Sequence, residues 1–245
     1  MTSHEHRLTL NESIRARFQA LQGMARRIVH DANNYYGIIQ GYISLIEANL
    51  AGHEMIDKYL PPMKDALQSG IDFNKRLAAF YRESQPMVSE IDLPLVAQEV
   101  CENYRREHDF AVEVRTVKAP GQVAVNGQVF RILTNGLCQL AQHTRTLPAL
   151  ITIDQVELPE KDIRAMVFES HPGTYAAVTV KLSLEQNTPA AVIACLDPFT
   201  LNSEGSGDLG LALLYNHLRN HQGNLDVSRR GDSLSIALYY PERKN

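Results

Sequence analysis

Ile28-Val29-His30-Asp31-Ala32-Asn33-Asn34 lies within a longer stretch, Ile14 to Ile46, whose periodicity decides the fold. Apolar or aromatic residues recur at Ile14, Phe18, Leu21, Ala25, Ile28, Ala32, Tyr35, Ile39, Tyr42 and Ile46. The steps alternate four and three without a break, which is the spacing of a coiled-coil seam. With Ile14 at heptad position d, His30 falls at f and points directly away from the seam. The pattern therefore predicts a lone histidine in solvent on the outer face of a long helix. Ala16, Gly23, Gly37 and Ser44 hold the other f positions, and all are small. Glycine inside a helix costs about 1 kcal/mol relative to alanine, so Gly23 and Gly37 imply a compensating role. A strip cleared for close approach by another protein supplies one.

Working outward, Leu8 to about Leu50 predicts the first helix, with Asn11 and Glu12 as its start signal. Ala51-Gly52-His53 predicts a tight turn. A second periodic stretch follows at Ile56, Leu60, Met63, Leu67, Gly70, Leu77 and Tyr81. Pro61-Pro62 interrupts it, and a kink or a restart is expected there. A two-helix hairpin cannot hide a ten-position seam alone, so pairing of two hairpins into a dimeric four-helix bundle is expected. The polar, proline-containing run Glu83 to Glu90 marks a boundary. The domains expected are residues 1–84, a helical hairpin, a linker at 85–91, and residues 92–245.

The second half has mixed periodicity. Helices are predicted at Leu93 to Glu107, Gly127 to Gln142 and Asp208 to Asn220. Strands are predicted at Ala111 to Val117, Ala149 to Val156, Ala176 to Leu184 and Ala190 to Cys195. A hairpin, Asn224 to Ser228 with Ser233 to Tyr239, turns across Arg229-Arg230-Gly231-Asp232. The fold class expected is α+β, with the helical hairpin followed by an α/β sandwich.

Composition narrows the function. The 245 residues carry a net charge of -4, so no general basic surface for nucleic acid is expected. Cys101, Cys138 and Cys195 are far apart in the chain, in apolar settings and without C-x-x-C spacing. They read as reduced core residues of a cytoplasmic protein, neither metal ligands nor disulfides. His143, His171, His217 and His221 lack metal-ligand spacing and are expected at the surface or in caps, and the Arg105-Arg106 and Arg229-Arg230 pairs as solvated faces. No apolar run approaches the ~20 residues that span a bilayer.

Val29-His30-Asp31-Ala32-Asn33-Asn34, with Gly37-Ile38-Ile39-Gln40-Gly41-Tyr42, resembles the phosphoacceptor box of bacterial sensor histidine kinases. The resemblance implies that His30 is phosphorylated, that Asp31 assists proton transfer and that Asn34 helps dephosphorylate a partner. Leu77 to Arg82 resembles the ending of the family's second helix, and the family's hairpin dimer is implied with it. The second half resembles the family's ATP-binding domain, most clearly at Asp197-Pro198-Phe199-Thr200, Gly205 to Leu211 and Gln222-Gly223-Asn224-Leu225.

The nucleotide chemistry departs from that pattern. The family's catalytic, magnesium-holding asparagine aligns with Gln139, whereas Asn135 matches a structural asparagine one turn earlier. The D-x-G-x-G box, whose acid holds the adenine amino group, aligns with Leu182, Leu184 and Gln186. Among Gly205, Asp208 and Gly210 of the phosphate-facing loop, Asp208 stands where the family has glycine and brings a negative charge toward a triphosphate. The expectation is a histidine phosphotransferase-like homodimer with a degenerate ATP site. It would pass a phosphoryl group between response-regulator receiver domains through His30. It would need no metal or cofactor of its own, the magnesium being supplied by the receiver. Two alternatives are a working kinase with an unusual pocket, and a non-enzymatic pseudokinase regulator that docks receivers or a histidine kinase.

Overall fold

The structure is a computed structural model that describes residues 3–50, 54–81, 89–184 and 214–243. The chain divides into two compact units. One is Gln19–Ser84; the other joins Met1–Phe18 to Gln85–Asn245.

The first unit is the helical hairpin, made by α1 (Ser3–Leu50) and α2 (Glu54–Tyr81). The turn expected at 51–53 lies outside the described residues. α2 passes through Pro61 and Pro62 as one helix and does not restart. Both prolines are exposed, so water can take up the carbonyls that lose their helical donors. Gly70 admits the ring of Tyr36 from α1, since a Cβ there would lie 2.9 Å from the Tyr36 hydroxyl.

The apolar seam of α1 is not one surface. Val29 and Ile43, at heptad position e, are buried, as is Ala25 at a. Ile28, Tyr35 and Tyr42, all at d, are 45%, 66% and 65% exposed. Met24, Ile38 and Leu45, one step away at g, are also exposed. The hairpin thus closes through the a/e side of α1, and a second apolar stripe on the d/g side is left uncovered in the single chain. The a/d spacing does not separate the two stripes, because residues on either side of the seam, at e and g, are apolar as well and widen the apolar arc of the helix.

The second unit is built on a five-stranded sheet. Its elements are β1 (Ser89–Ile91), α3 (Leu93–His108), β2 (Val112–Thr116), β3 (Val123–Val125), α4 (Gly127–His143), β4 (Ala149–Leu158), α5 (Glu160–Ile163), β5 (Gly173–Ser183), α6 (Leu214–Asn220), β6 (Asn224–Arg230) and β7 (Ser233–Pro241). The strands run in the order β2-β4-β5-β7-β6, and among the described strands only β2 and β4 pair in parallel. β1 and β3 form a separate antiparallel pair, so residues 89–91 of the expected linker are a strand. The strand expected at 190–195, and the helix expected from 208 up to 213, lie outside the described residues. The β6–β7 turn is tight, and Gly231 takes its left-handed position at φ 59°.

α3 and α4 begin with side-chain caps from Asp92 and Asn126. α4 sends Phe130, Leu133, Leu137 and Leu140 into the core beneath Ile151, Ile153, Val178 and Ile236. Phe130 meets Tyr240 edge-on, with centroids 5.8 Å apart. His217 and His221 are not surface residues. They are buried with ring centroids 4.6 Å apart. Burial, and then the neighbouring His221, push His217 down to about 3. The Arg105-Arg106 and Arg229-Arg230 pairs are exposed as expected.

The start of α1 belongs to this second unit. Asn11 is not a helix start, because α1 already runs from Ser3 and buries the Asn11 side chain in mid-helix. Its Nδ2 donates to the carbonyl of Ala165 and to Asp226 Oδ1, both at 2.7 Å, and its Oδ1 accepts from Val227 N at 2.9 Å. Arg7 adds a 2.8 Å bond to the same Asp226 oxygen, and Arg15 reaches the carbonyls of Val167 and Met166 at 2.7 and 2.6 Å. Ile14 and Phe18 are buried alongside, with Phe18 tilted 6.4 Å from Phe168. The carbonyls point this way because buried Asn224 grips both the N–H and the carbonyl of Phe168. Asn11→Ala should cost about 1–3 kcal/mol, since it leaves three buried groups without Asn11. Urea unfolding of the full chain checks this, and a loss below about 0.5 kcal/mol would contradict it.

Candidate functional site

α1 carries the candidate site on its solvent face. The register that buries Val29 turns the next residue outward, and the His30 side chain is 75% exposed. Nδ1 of His30 lies 3.1 Å from Oδ1 of Asp31. A carboxylate accepts only, so this contact assigns the ring proton to Nδ1. The other ring nitrogen, Nε2, then carries a free lone pair. The arrangement is that of an exposed imidazole oriented by an acid on one side of the ring.

Asp31 and Asn34 are exposed on the same stretch of helix. One turn on, Gly37 and Gly41 meet nothing: a Cβ built on either finds no atom within 4 Å. Neither glycine is required by packing inside this chain, which leaves the surface beside His30 low and open. The side-chain surroundings of position 23 lie outside the described residues.

Asn33, although part of the same box, does different work. Its Oδ1 accepts at 2.7 Å from Nδ2 of Asn74 on α2, which also donates to the Val29 carbonyl at 3.0 Å. Asn74 is buried, so the turn of α1 that carries His30 is clamped to α2 by a satisfied polar contact. Asn74 was not singled out from sequence, yet a signal for it exists. The second seam steps from Gly70 to Leu77 in seven, and the vacant position between four-and-three steps is 74. A lone asparagine at such a position fixes register in helical pairs.

The nucleotide-site positions separate into two groups. Asn135 and Gln139 are both half-buried on α4, four residues apart and so on one face. Leu182 is a core residue: it is fully buried in β5 and pairs with Leu234 of β7. Gly205, Asp208 and Gly210 lie outside the described residues. Among the described residues no cluster of histidine, cysteine or acidic side chains is placed to hold a metal ion, and no helix is long and apolar enough to cross a membrane.

No family model matches the chain. Among solved structures it is similar to full-length ShkA in complex with AMPPNP, at 12% identity and a TM-score of 0.50, over 91% of this chain and 46% of that one. It thus spans about half of that protein. It is also similar to the catalytic domain of the histidine kinase ThkA, at 18% identity and a TM-score of 0.45, over 63% of this chain and 95% of that one. The Acinetobacter baumannii histidine kinase AdeS matches at 13% identity and a TM-score of 0.48, over 88% and 98% of the two chains. The likeness is one of fold: a long N-terminal helix followed by a mixed α+β sandwich.

The contrast between two polar residues of this hairpin is measurable. His30→Gln changes an exposed side chain and should move stability by no more than about 0.5 kcal/mol. Asn74→Ala removes a buried donor and should cost about 1–3 kcal/mol. Chemical denaturation of the two variants checks the ordering, and equal effects would contradict it.

Proposed function

We propose that the protein is a histidine phosphotransfer protein that exchanges phosphoryl groups between receiver-domain aspartates through His30. The observation that carries this reading is an exposed imidazole whose Nδ1 is engaged by Asp31 while Nε2 faces solvent. In the forward step the Nε2 lone pair attacks the phosphorus of an aspartyl phosphate. The P–N bond forms, the P–O bond to the aspartate breaks, and the carboxylate leaves on the receiver. The positive charge that develops on the ring is stabilised by Asp31 across the Nδ1–H bond. A second receiver reverses the step. Asn34, one turn along, is placed to orient water for hydrolysis, and the open surface at Gly37 and Gly41 lets a receiver come close. Magnesium is expected to come with the receiver.

ATP is not expected to serve as donor. Leu182 offers no acceptor for an adenine amino group, and an unmet recognition hydrogen bond typically costs several kcal/mol. Gln139 carries its amide one methylene further out than asparagine would, and Asp208 adds like charge. Even ~4 kcal/mol in total moves a micromolar site to the millimolar range. Incubated with a phosphorylated receiver, the wild-type chain should acquire acid-labile phosphate, and His30→Gln should acquire none. Incubated with labelled Mg-ATP alone, the wild type should stay unlabelled. Labelling of the His30 variant by a receiver sinks the assignment, and rapid labelling by ATP restores the kinase reading.

The active species is proposed to be a homodimer that covers the d/g stripe of α1. Ile28, Tyr35, Ile38 and Tyr42 present a continuous exposed apolar surface along four turns, of the kind that marks an interface. Light scattering should give twice the chain mass of 27.5 kDa. Tyr35→Glu with Tyr42→Glu should give a folded monomer; a dimer that survives both changes would place the interface elsewhere.

A further inference from the structure

Cys101 of α3 and Cys138 of α4 are 37 residues apart in the chain, yet their sulfur atoms lie 3.7 Å apart in the core. We propose that this pair is a redox modification site, which closes to an intramolecular disulfide when the protein meets a peroxide. The chain positions and the absence of C-x-x-C spacing point to isolated thiols; the packing of α3 on α4 brings two of them into contact. Both are buried and free of any disulfide.

Geometry favours the reaction. A disulfide holds its sulfurs about 2.05 Å apart, so the pair must close by roughly 1.7 Å, within reach of side-chain rotation and a small adjustment of two packed helices. The two thiols are also hydrogen-bonded to each other. The bond with Cys138 holds the Cys101 thiol below the ordinary cysteine value, and this outweighs its burial. The same bond, with burial, holds Cys138 up. Cys101 is therefore the sulfur that reacts first and Cys138 the one that resolves.

Cys101 sulfur, as thiolate, attacks one peroxide oxygen. The S–O bond forms, the O–O bond breaks, and the departing hydroxide leaves as water with the proton that Cys101 released on ionising. Cys138 sulfur then attacks Cys101 sulfur. The S–S bond forms, the S–O bond breaks, and the leaving hydroxide departs with the Cys138 proton as a second water. Two thiols lose two electrons in all, and the peroxide is reduced to two waters. A peroxide is close to water in size, which suits a buried pair. The new bond staples α3 to α4 at the residue before Gln139, so the redox state sets how α4 sits on its neighbour.

The full chain, treated with hydrogen peroxide, should be alkylated under denaturing conditions and digested. The expected product is a single cross-linked pair of peptides joining Cys101 to Cys138, two hydrogens lighter than the reduced pair and released by dithiothreitol. Cys138→Ala should instead leave a Cys101 sulfenic acid that dimedone traps. The wild-type digest decides the matter even if that variant folds poorly. Recovery of both residues alkylated, sulfinic acid at Cys101 with Cys138 still alkylated, or a bridge from either residue to Cys195 overturns the proposal.

Discussion

Among the described residues, three buried asparagines each fix a contact between elements, and each is tolerated only because its amide is paired. An unpaired amide in a protein interior costs a few kcal/mol, whereas a paired one fixes geometry at little net cost. Asn11 joins the first turns of α1 to Ala165, Asp226 and Val227. Asn224 grips Phe168 at both ends, which turns the carbonyls of residues 165–167 toward that helix. Asn74 clamps α2 to Asn33 and to the Val29 carbonyl. Apolar packing alone would permit helices to slide by a residue or a turn. Directional polar contacts in an otherwise greasy surface do not, and the orientation of His30 depends on that restriction.

The consequence for chemistry is a division of labour along one short stretch of helix. Val29 faces inward, and its carbonyl and Asn33 receive the clamp; His30, Asp31 and Asn34 face outward. Fixing the inward residues fixes the outward ones, because one helix carries both. His30 is held exposed on that outward face, with its Nδ1 against Asp31.

The second unit shows what packing asks of a sheet. Leu182 of β5, within the five-stranded sheet, is a packing residue, fully buried and paired with Leu234 of β7. A leucine there is chosen for the volume it fills in the hydrophobic core. Fold and activity are separable in this way because core residues are chosen for volume and site residues for functional groups.

The sequence by itself determined the α+β fold class, the solvent-facing position of His30 and most elements of the sheet. These follow from local periodicity: a 3.5-residue repeat, alternation along strands, and turn residues such as Gly231 read without knowledge of distant neighbours. It did not determine which apolar residues of α1 face α2, since Val29 and Ile28 are equally apolar and one step of 100° separates them. Nor did it reveal that Asn11 lies inside a helix, since an asparagine before an apolar run has the same local signature as a cap. The burial of His217 and His221, the strand at residues 89–91 and the contact of Cys101 with Cys138 were equally invisible. Each joins residues that are distant in the chain or depends on a neighbour supplied by another element. Only the tertiary structure decides such contacts, because their energy comes from partners that the local sequence does not contain.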